Sequence, residues 1–208
     1  SSDLRAALGI EPDELFILQP TRVVQRKGIE YAIELVKRLG RKARLVISHA
    51  SGDDGMEYEE RVRDFAKLMG VRAIFSSERF GENRGLSKDG KKIFSLSDAY
   101  PHADLVTYPS LIEGFGNAFL EALYYKKPIV VNNYAIYATD IRPKGFKVIE
   151  FDNYITEKTV QDTLRILDDP AYQAEMCSFN YALALRHFSY NVLRSQFQVL
   201  LANAFGTN

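Results

Sequence analysis

Apolar positions along this chain alternate between two rhythms, short unbroken runs and a recurrence near every 3.6 residues. Leu15 to Leu18, Leu45 to Ile47, Val71 to Phe75, Leu105 to Thr107 and Pro128 to Val131 are such runs, and Phe146 to Ile149 makes a sixth. Runs of this length without polar alternation predict strands buried on both faces. Between them the helical rhythm takes over. Ile29, Ala32, Ile33, Val36 and Leu39 line one face of a helix stopped by Gly40. A charged helix from Glu57 to Met69 turns Val62, Phe65, Ala66 and Met69 inward and stops at Gly70. A short helix through Leu8 is capped by Ser2-Asp3 and ended by Gly9. Ile93 to Tyr100 and Phe115 to Tyr125 predict two more helices. Glu157 to Leu167, Ala171 to Phe188 and Ser189 to Phe205 read as a helical tail over about 157–208.

Strands alternating with helices predict an α/β domain with a doubly wound parallel sheet, covered on both faces. No linker of Pro, Gly or Ser character and no repeat divides residues 1–208, so the chain reads as a single domain. In such sheets ligands sit at the carboxyl ends of the strands. The connections after the first, third and fourth strands therefore share one rim. The third strand is followed by Ser76 to Lys92, a long polar connection with Gly81, Gly85 and Gly90 that reads as a functional or mobile loop.

Composition removes several functional classes. The 27 basic and 27 acidic residues cancel, so no overall field favours nucleic acid or an anionic membrane. No run has the length of a membrane span, and the N-terminus carries no signal-peptide pattern. The single cysteine, Cys177, leaves no internal disulfide framework, fits a reducing compartment and reads as a small core residue.

The chemistry concentrates at Leu111-Ile-Glu113-Gly-Phe-Gly116-Asn-Ala-Phe-Leu-Glu121. A glycine-rich turn from strand end to helix start directs unpaired N–H groups and the positive helix end at one spot, which suits phosphate. Glu113 and Glu121 bracket that spot from eight positions apart. A carboxylate cannot bind phosphate, so the pair is suited to hydroxyls on either side of it. Phosphate between hydroxyls describes a nucleotide-sugar. Alternatively, Glu113 is a capping carboxylate and Glu121 lies on the polar helix edge. The loop after the first strand supplies Arg22 and Lys27, which can neutralise a diphosphate, with Gly28 allowing close backbone approach. Its bland alternative is a solvated basic loop, and Arg26 is left to solvent. Asp53-Asp54 reads as a turn, and His49, His102 and His187 as structural or solvated groups.

Three stretches carry a family resemblance: Thr21-Arg22-Val-Val-Gln-Arg-Lys27-Gly28, Pro109-Ser110 through Glu121-Ala-Leu, and Lys127-Pro128-Ile-Val-Val131. They resemble the C-terminal, donor-binding half of a family 4 retaining glycosyltransferase of the GT-B type (glycosyl transferases group 1), whose paired-glutamate signature the second stretch matches. The likeness covers roughly residues 10 to 170 and implies a Rossmann-like half of a GT-B fold. It implies that Arg22 and Lys27 bind the donor's diphosphate and stabilise its departure, and that Glu113 contacts sugar hydroxyls. The Gly114-Phe115-Gly116-Asn117 backbone would hold sugar and phosphate, Glu121 the ribose, and Ile74, Phe75 and Ser76, within Ile74 to Ser77, the edge of the base. Thr21 departs from the family's frequent glycine, and the loop from Ser76 to Lys92 is longer and more polar than usual.

The resemblance further implies a nucleotide-diphosphate-sugar (UDP-, GDP- or ADP-sugar) as substrate, with no cofactor. No Asp-x-Asp motif is present and cations stand where a metal would, so no essential metal is expected. It implies an N-terminal acceptor domain outside this chain, in the same gene product or a separate chain, without which the chain binds donor but transfers nothing. The expected location is cytoplasmic, with the missing domain able to bring the enzyme to a membrane surface. Two rival readings remain: a non-enzymatic or regulatory nucleotide-binding module, and a fragment of a GT-B nucleotide-sugar epimerase.

Overall fold

The computed structural model describes residues 3–51 and 56–189. Helix α1 (Leu4–Ala7) leads into β1 (Leu15–Gln19), α2 (Ile29–Leu39), β2 (Ala43–Ile47), α3 (Met56–Met69) and β3 (Ala73–Phe75). A small antiparallel hairpin follows, β4 (Gly85–Leu86) with β5 (Lys92–Ile93). Then come α4 (Leu96–His102), β6 (Leu105–Tyr108), α5 (Asn117–Tyr124), β7 (Ile129–Asn132), β8 (Ile149–Phe151), α6 (Glu157–Asp168) and α7 (Pro170–Phe188).

Six strands form one parallel sheet in the order β3-β2-β1-β6-β7-β8. From β1 the chain builds outward through β2 to β3, then crosses back to pair β6 on the other side of β1. Ile17 is opposite Leu105 and Leu18 opposite Val106. The connections leaving β1 and β6 thus diverge, which opens a crevice between their carboxyl ends. The pleat explains the unbroken apolar runs. Ile17, Leu45 and Ile47 feed the core beneath α2, α3 and α6, whereas Phe16, Leu18 and Val46 feed the core beneath α1, α4 and α5. Each such fully buried side chain contributes about 1.5–3 kcal/mol. Cys177 is buried in the first of these cores, as the sequence predicts.

Several elements differ from expectation. The helix expected over Ile93 to Tyr100 starts only at Leu96, because Lys92-Ile93 pair with the hairpin and Ser95-Asp98 form a capping box. The last strand is shifted from Phe146–Ile149 to Ile149–Phe151. Phe146 instead packs on Phe119 and Phe188, and the Lys147 backbone is held by the Asn180 amide. A π-helical turn, Tyr137–Ile141, and a 3₁₀ turn, Arg142–Lys144, fill a stretch that shows no periodicity in sequence. Asp53-Asp54 and the helix expected beyond Ser189 lie outside the described residues. Among the described residues no helix is long and apolar enough to cross a membrane.

Candidate functional site

Two loops meet at the crevice between β1 and β6. Buried polar side chains tie the strand ends together: the Thr107 hydroxyl donates to Gln19 Oε1 at 2.6 Å, and Gln19 Nε2 donates to Thr21 Oγ1 at 2.8 Å. Beyond them a 3₁₀ turn, Gln25–Lys27, leads to Gly28 in the left-handed region at φ 59°. A Cβ at Gly28 would lie 2.5 Å from the Pro109 carbonyl oxygen. The close approach that needs this glycine is therefore between the two loops. A backbone hydrogen bond from the Leu111 N–H to the Arg26 carbonyl, 2.8 Å, bolts them together.

That contact brings Glu113 onto the cations of the first loop. One carboxylate oxygen pairs with the Lys27 ammonium, and Oε2 lies 3.3 Å from Arg26 Nη1. Arg26 also donates to the Ile112 carbonyl at 3.2 Å, so the expectation that it is left to solvent is corrected. The Glu113 and Lys27 side chains are only 9 % and 11 % exposed. Burial pushes the Glu113 carboxyl up, but the Lys27 hydrogen bond and the charges of Lys27 and Arg26 outweigh it, and the group lies below the usual glutamate value. Burial also holds Lys27 below the usual lysine value, against the pull of Glu113. Arg22 stays exposed at the mouth.

The second glycine that matters is Gly116, at φ 89° immediately before α5. A Cβ there would meet the Tyr134 hydroxyl at 2.6 Å and the Tyr108 ring at 3.2 Å. Gly116 lets the turn sit on this aromatic pair, so that α5 starts against the crevice at Asn117. Further along α5, Glu121 accepts a hydrogen bond from the Tyr100 hydroxyl at 2.8 Å. Tyr100 is buried and stacks on Tyr125 with centroids 5.0 Å apart. Burial and the Glu121 charge push its phenol far up, so it remains a donor.

The walls so built enclose a cleft of two adjoining compartments. The smaller, about 470 Å³, takes in Thr21, Arg22, Lys27, Glu113, Gly114, Phe115, Gly116 and Asn117. The larger, about 830 Å³, runs past Ser77, Phe80, Gly81 and Glu82 to Ser97 and Tyr124. Glu121, His49 and Leu96 stand on the wall of both. The fold therefore gathers Arg22, Lys27, Glu113, Gly114 to Asn117 and Glu121 at one cleft, with Gly28 bracing it from behind. It does not bring Ile74, Phe75 or Ser76 to the wall. Ile74 packs into the core, Phe75 lies under the Arg63 guanidinium at 4.0 Å, and the buried Ser76 hydroxyl donates to the Ile47 carbonyl. From that loop it is Ser77 and Phe80 to Glu82 that face the cleft.

Tyr100 escapes sequence reasoning, and His49, read there as structural or solvated, stands on the cleft wall. Nothing in spacing links Tyr100 to Glu121, since a strand and two loops separate them. His49 follows β2, and its Nδ1 is 2.9 Å from the Ser48 hydroxyl. Burial, then the charges of Lys27 and Arg22, hold His49 below the usual histidine value.

Comparison with known proteins bears on this arrangement. The family described as Glycosyl transferases group 1 matches residues 15–169. The chain is 30 % identical to the mannosylglucosylglycerate synthase of Thermotoga maritima, over 89 % of this chain and 48 % of that protein. It is 32 % identical to the Petrotoga mobilis protein of the same name, over 68 % of this chain and 36 % of that one. The chain thus spans about half the length, or less, of the curated relatives it matches. Among solved structures, Anabaena HepE in complex with UDP and glucose superposes with a TM-score of 0.78 at 17 % identity, over 97 % of this chain and 52 % of that one. The C-terminal domain of the group 1 glycosyl transferase LpcC from Francisella tularensis superposes at 0.65 and 16 % identity, over 86 % of this chain and 88 % of that one. With its six-stranded parallel sheet and two loops closing on one crevice, the chain belongs to the glycosyl transferases group 1 family and has the Rossmann-like fold of one half of a GT-B enzyme.

Proposed function

We propose that this chain is the donor-binding half of a retaining, family 4 hexosyltransferase that moves a sugar from a UDP-, GDP- or ADP-sugar to an acceptor hydroxyl. One observation carries the reading: Lys27, Glu113, the start of α5 and Glu121 line a single continuous cleft at the sheet's switch point. In this reading the diphosphate sits in the smaller compartment between Arg22, Lys27 and the N–H groups of the turn at Gly114 to Asn117. The sugar lies beside Glu113, the ribose hydroxyls beside the free oxygen of Glu121, and the base in the larger compartment. The HepE complex with UDP and glucose supports nucleotide and sugar as the ligand class. The names of the two relatives favour a hexosyl donor, with a mannosyl nucleotide among the first to try.

The chemistry follows from where charge develops. As the bond to the leaving diphosphate breaks, negative charge gathers on its oxygen and the sugar becomes oxocarbenium-like. Lys27 and Arg22 stabilise that charge in place of a metal ion, so the reaction needs no metal. The acceptor hydroxyl attacks from the face the diphosphate leaves, and the departing phosphate oxygen is positioned to take its proton. Losing one such charged donor costs about 10²–10³ in rate. The acceptor is held by a domain outside this chain, so these 208 residues bind donor without transferring sugar, in a cytoplasmic enzyme. The test is calorimetry of the chain with UDP, GDP, ADP and their sugars, together with a transfer assay. Binding of one base series without transfer supports the reading. Turnover by this chain alone would overturn its acceptor part.

A further inference from the structure

Arg26 lines neither compartment of the cleft, yet it touches Glu113, which does. In a 3₁₀ turn successive side chains point about 120° apart. Arg26 and Lys27 therefore reach the same carboxylate from two sides, Lys27 on Oε1 from within the cleft and Arg26 on Oε2 from the rim. The Arg26 side chain is 41 % exposed, but both its ends are pinned to the turn that bears Glu113. Its guanidinium donates to the Ile112 carbonyl, and its own carbonyl accepts from the Leu111 N–H.

This arrangement matters once a diphosphate arrives. Lys27 has one ammonium, and the anion competes with Glu113 for it. A carboxylate this buried would lose much of its counter-charge as Lys27 turned, and burial would then favour its neutral form. A protonated Glu113 presents one acceptor fewer to sugar hydroxyls. The other groups facing Glu113 supply no positive charge: Tyr108 at the end of β6, Ser110 in its own turn, and Tyr134 after β7. Arg22, earlier in the first loop, lines the smaller compartment and is open to the diphosphate itself. Arg26 carries a permanent charge and is tied to the turn that bears Glu113. We propose that Arg26 is a positioning residue: it holds the Glu113 carboxylate toward the donor sugar while Lys27 turns to the diphosphate. The inference rests on the donor-site reading above.

The test combines two measurements on the wild-type chain, Arg26→Gln and Arg26→Lys. Carbon-13 NMR follows the titration of the Glu113 carboxyl, and calorimetry compares a nucleoside diphosphate with its sugar derivative, using whichever of UDP, GDP or ADP binds wild type best. Arg26→Gln is expected to move the Glu113 midpoint up. It should weaken the nucleotide-sugar about tenfold, the scale of one charge-assisted hydrogen bond, and shift the acid limb of that binding to higher pH. The bare nucleoside diphosphate should bind as in wild type, and Arg26→Lys should recover most of the loss. Equal weakening of both ligands would make Arg26 a phosphate cation and overturn the proposal. An unmoved Glu113 midpoint would make it a solvent charge and do the same. If wild type binds no nucleoside diphosphate, the donor-site reading fails first and this proposal with it, even where the titration shows the ion pair.

Discussion

Gly28→Ala probes the joint between the two loops. The left-handed backbone at Gly28 costs an L-residue about 1–2 kcal/mol. A more restricted unfolded chain returns about 0.4–1 kcal/mol of this. The new methyl would also lie 2.5 Å from the Pro109 carbonyl oxygen, which is backbone and cannot rotate away. The Pro109–Glu113 turn must then shift, weakening the bond from Leu111 N–H to the Arg26 carbonyl, worth about 1 kcal/mol. The sum is a loss of about 2 kcal/mol. For a chain of this size that lowers Tm by about 4–8 °C. Gly40→Ala is the matched control, with φ 62° and nothing within 4 Å of the added carbon. Thermal denaturation of both variants isolates the loop contact, and nucleotide binding reports whether Glu113 has moved off Lys27. If Gly28→Ala is no less stable than Gly40→Ala, the contact with Pro109 does not brace the site and the reasoning fails.

Three other outcomes follow from the same geometry. Tyr100→Phe removes the donor to Glu121 while keeping the ring stacked on Tyr125. Its nucleotide affinity should fall about five- to tenfold, and a 2′,3′-dideoxy nucleotide should show no such loss. His49 sits below its ordinary value because of burial and the nearby charges of Lys27 and Arg22, and a diphosphate that screens those charges should raise it. Binding should therefore take up protons and tighten as pH falls below the ordinary histidine range, visible by calorimetry in buffers of different ionisation enthalpy and flattened in His49→Gln. Asp98 is held at about 2 by its hydrogen bond from Arg84, which overcomes burial and anchors the long Ser76–Lys92 connection to α4. Its stabilisation is complete above the ordinary carboxylate range and is lost as pH falls toward about 2. Denaturation midpoints between pH 5 and 2 should fall less steeply in Asp98→Asn than in wild type.

The parts of the fold that were legible in sequence are those where one local rule acts alone. Ile29 to Leu39 with Gly40, and the unbroken runs at β1, β2, β6 and β7, needed only periodicity and burial. The Phe146–Ile149 run failed because Phe146 was claimed by the aromatic cluster with Phe119 and Phe188, a tertiary contact that apolarity alone cannot distinguish from a strand. Ile93 went to a hairpin partner that a helical pattern does not encode. At the cleft, Lys27, Glu113 and Glu121 were legible as neighbours because the segments that bear them follow β1 and β6 onto one rim. Arg26 and Tyr100 were not, since each acts by touching a glutamate far away in sequence. The edge expected over Ile74 to Ser77 meets the cleft only at Ser77, because Ile74 and Phe75, partly buried in β3, pack elsewhere and Ser76 is buried just beyond the strand.

In the proposed site Lys27 holds the diphosphate and Glu121 the ribose of one nucleotide-sugar. Calorimetric titration of wild type, Lys27→Ala and Glu121→Ala with the best-binding nucleoside diphosphate tests it most directly. The account predicts that each substitution weakens binding by about tenfold or more, the cost of one charged hydrogen-bonding group, with the fold intact. Undiminished affinity in both variants would contradict it.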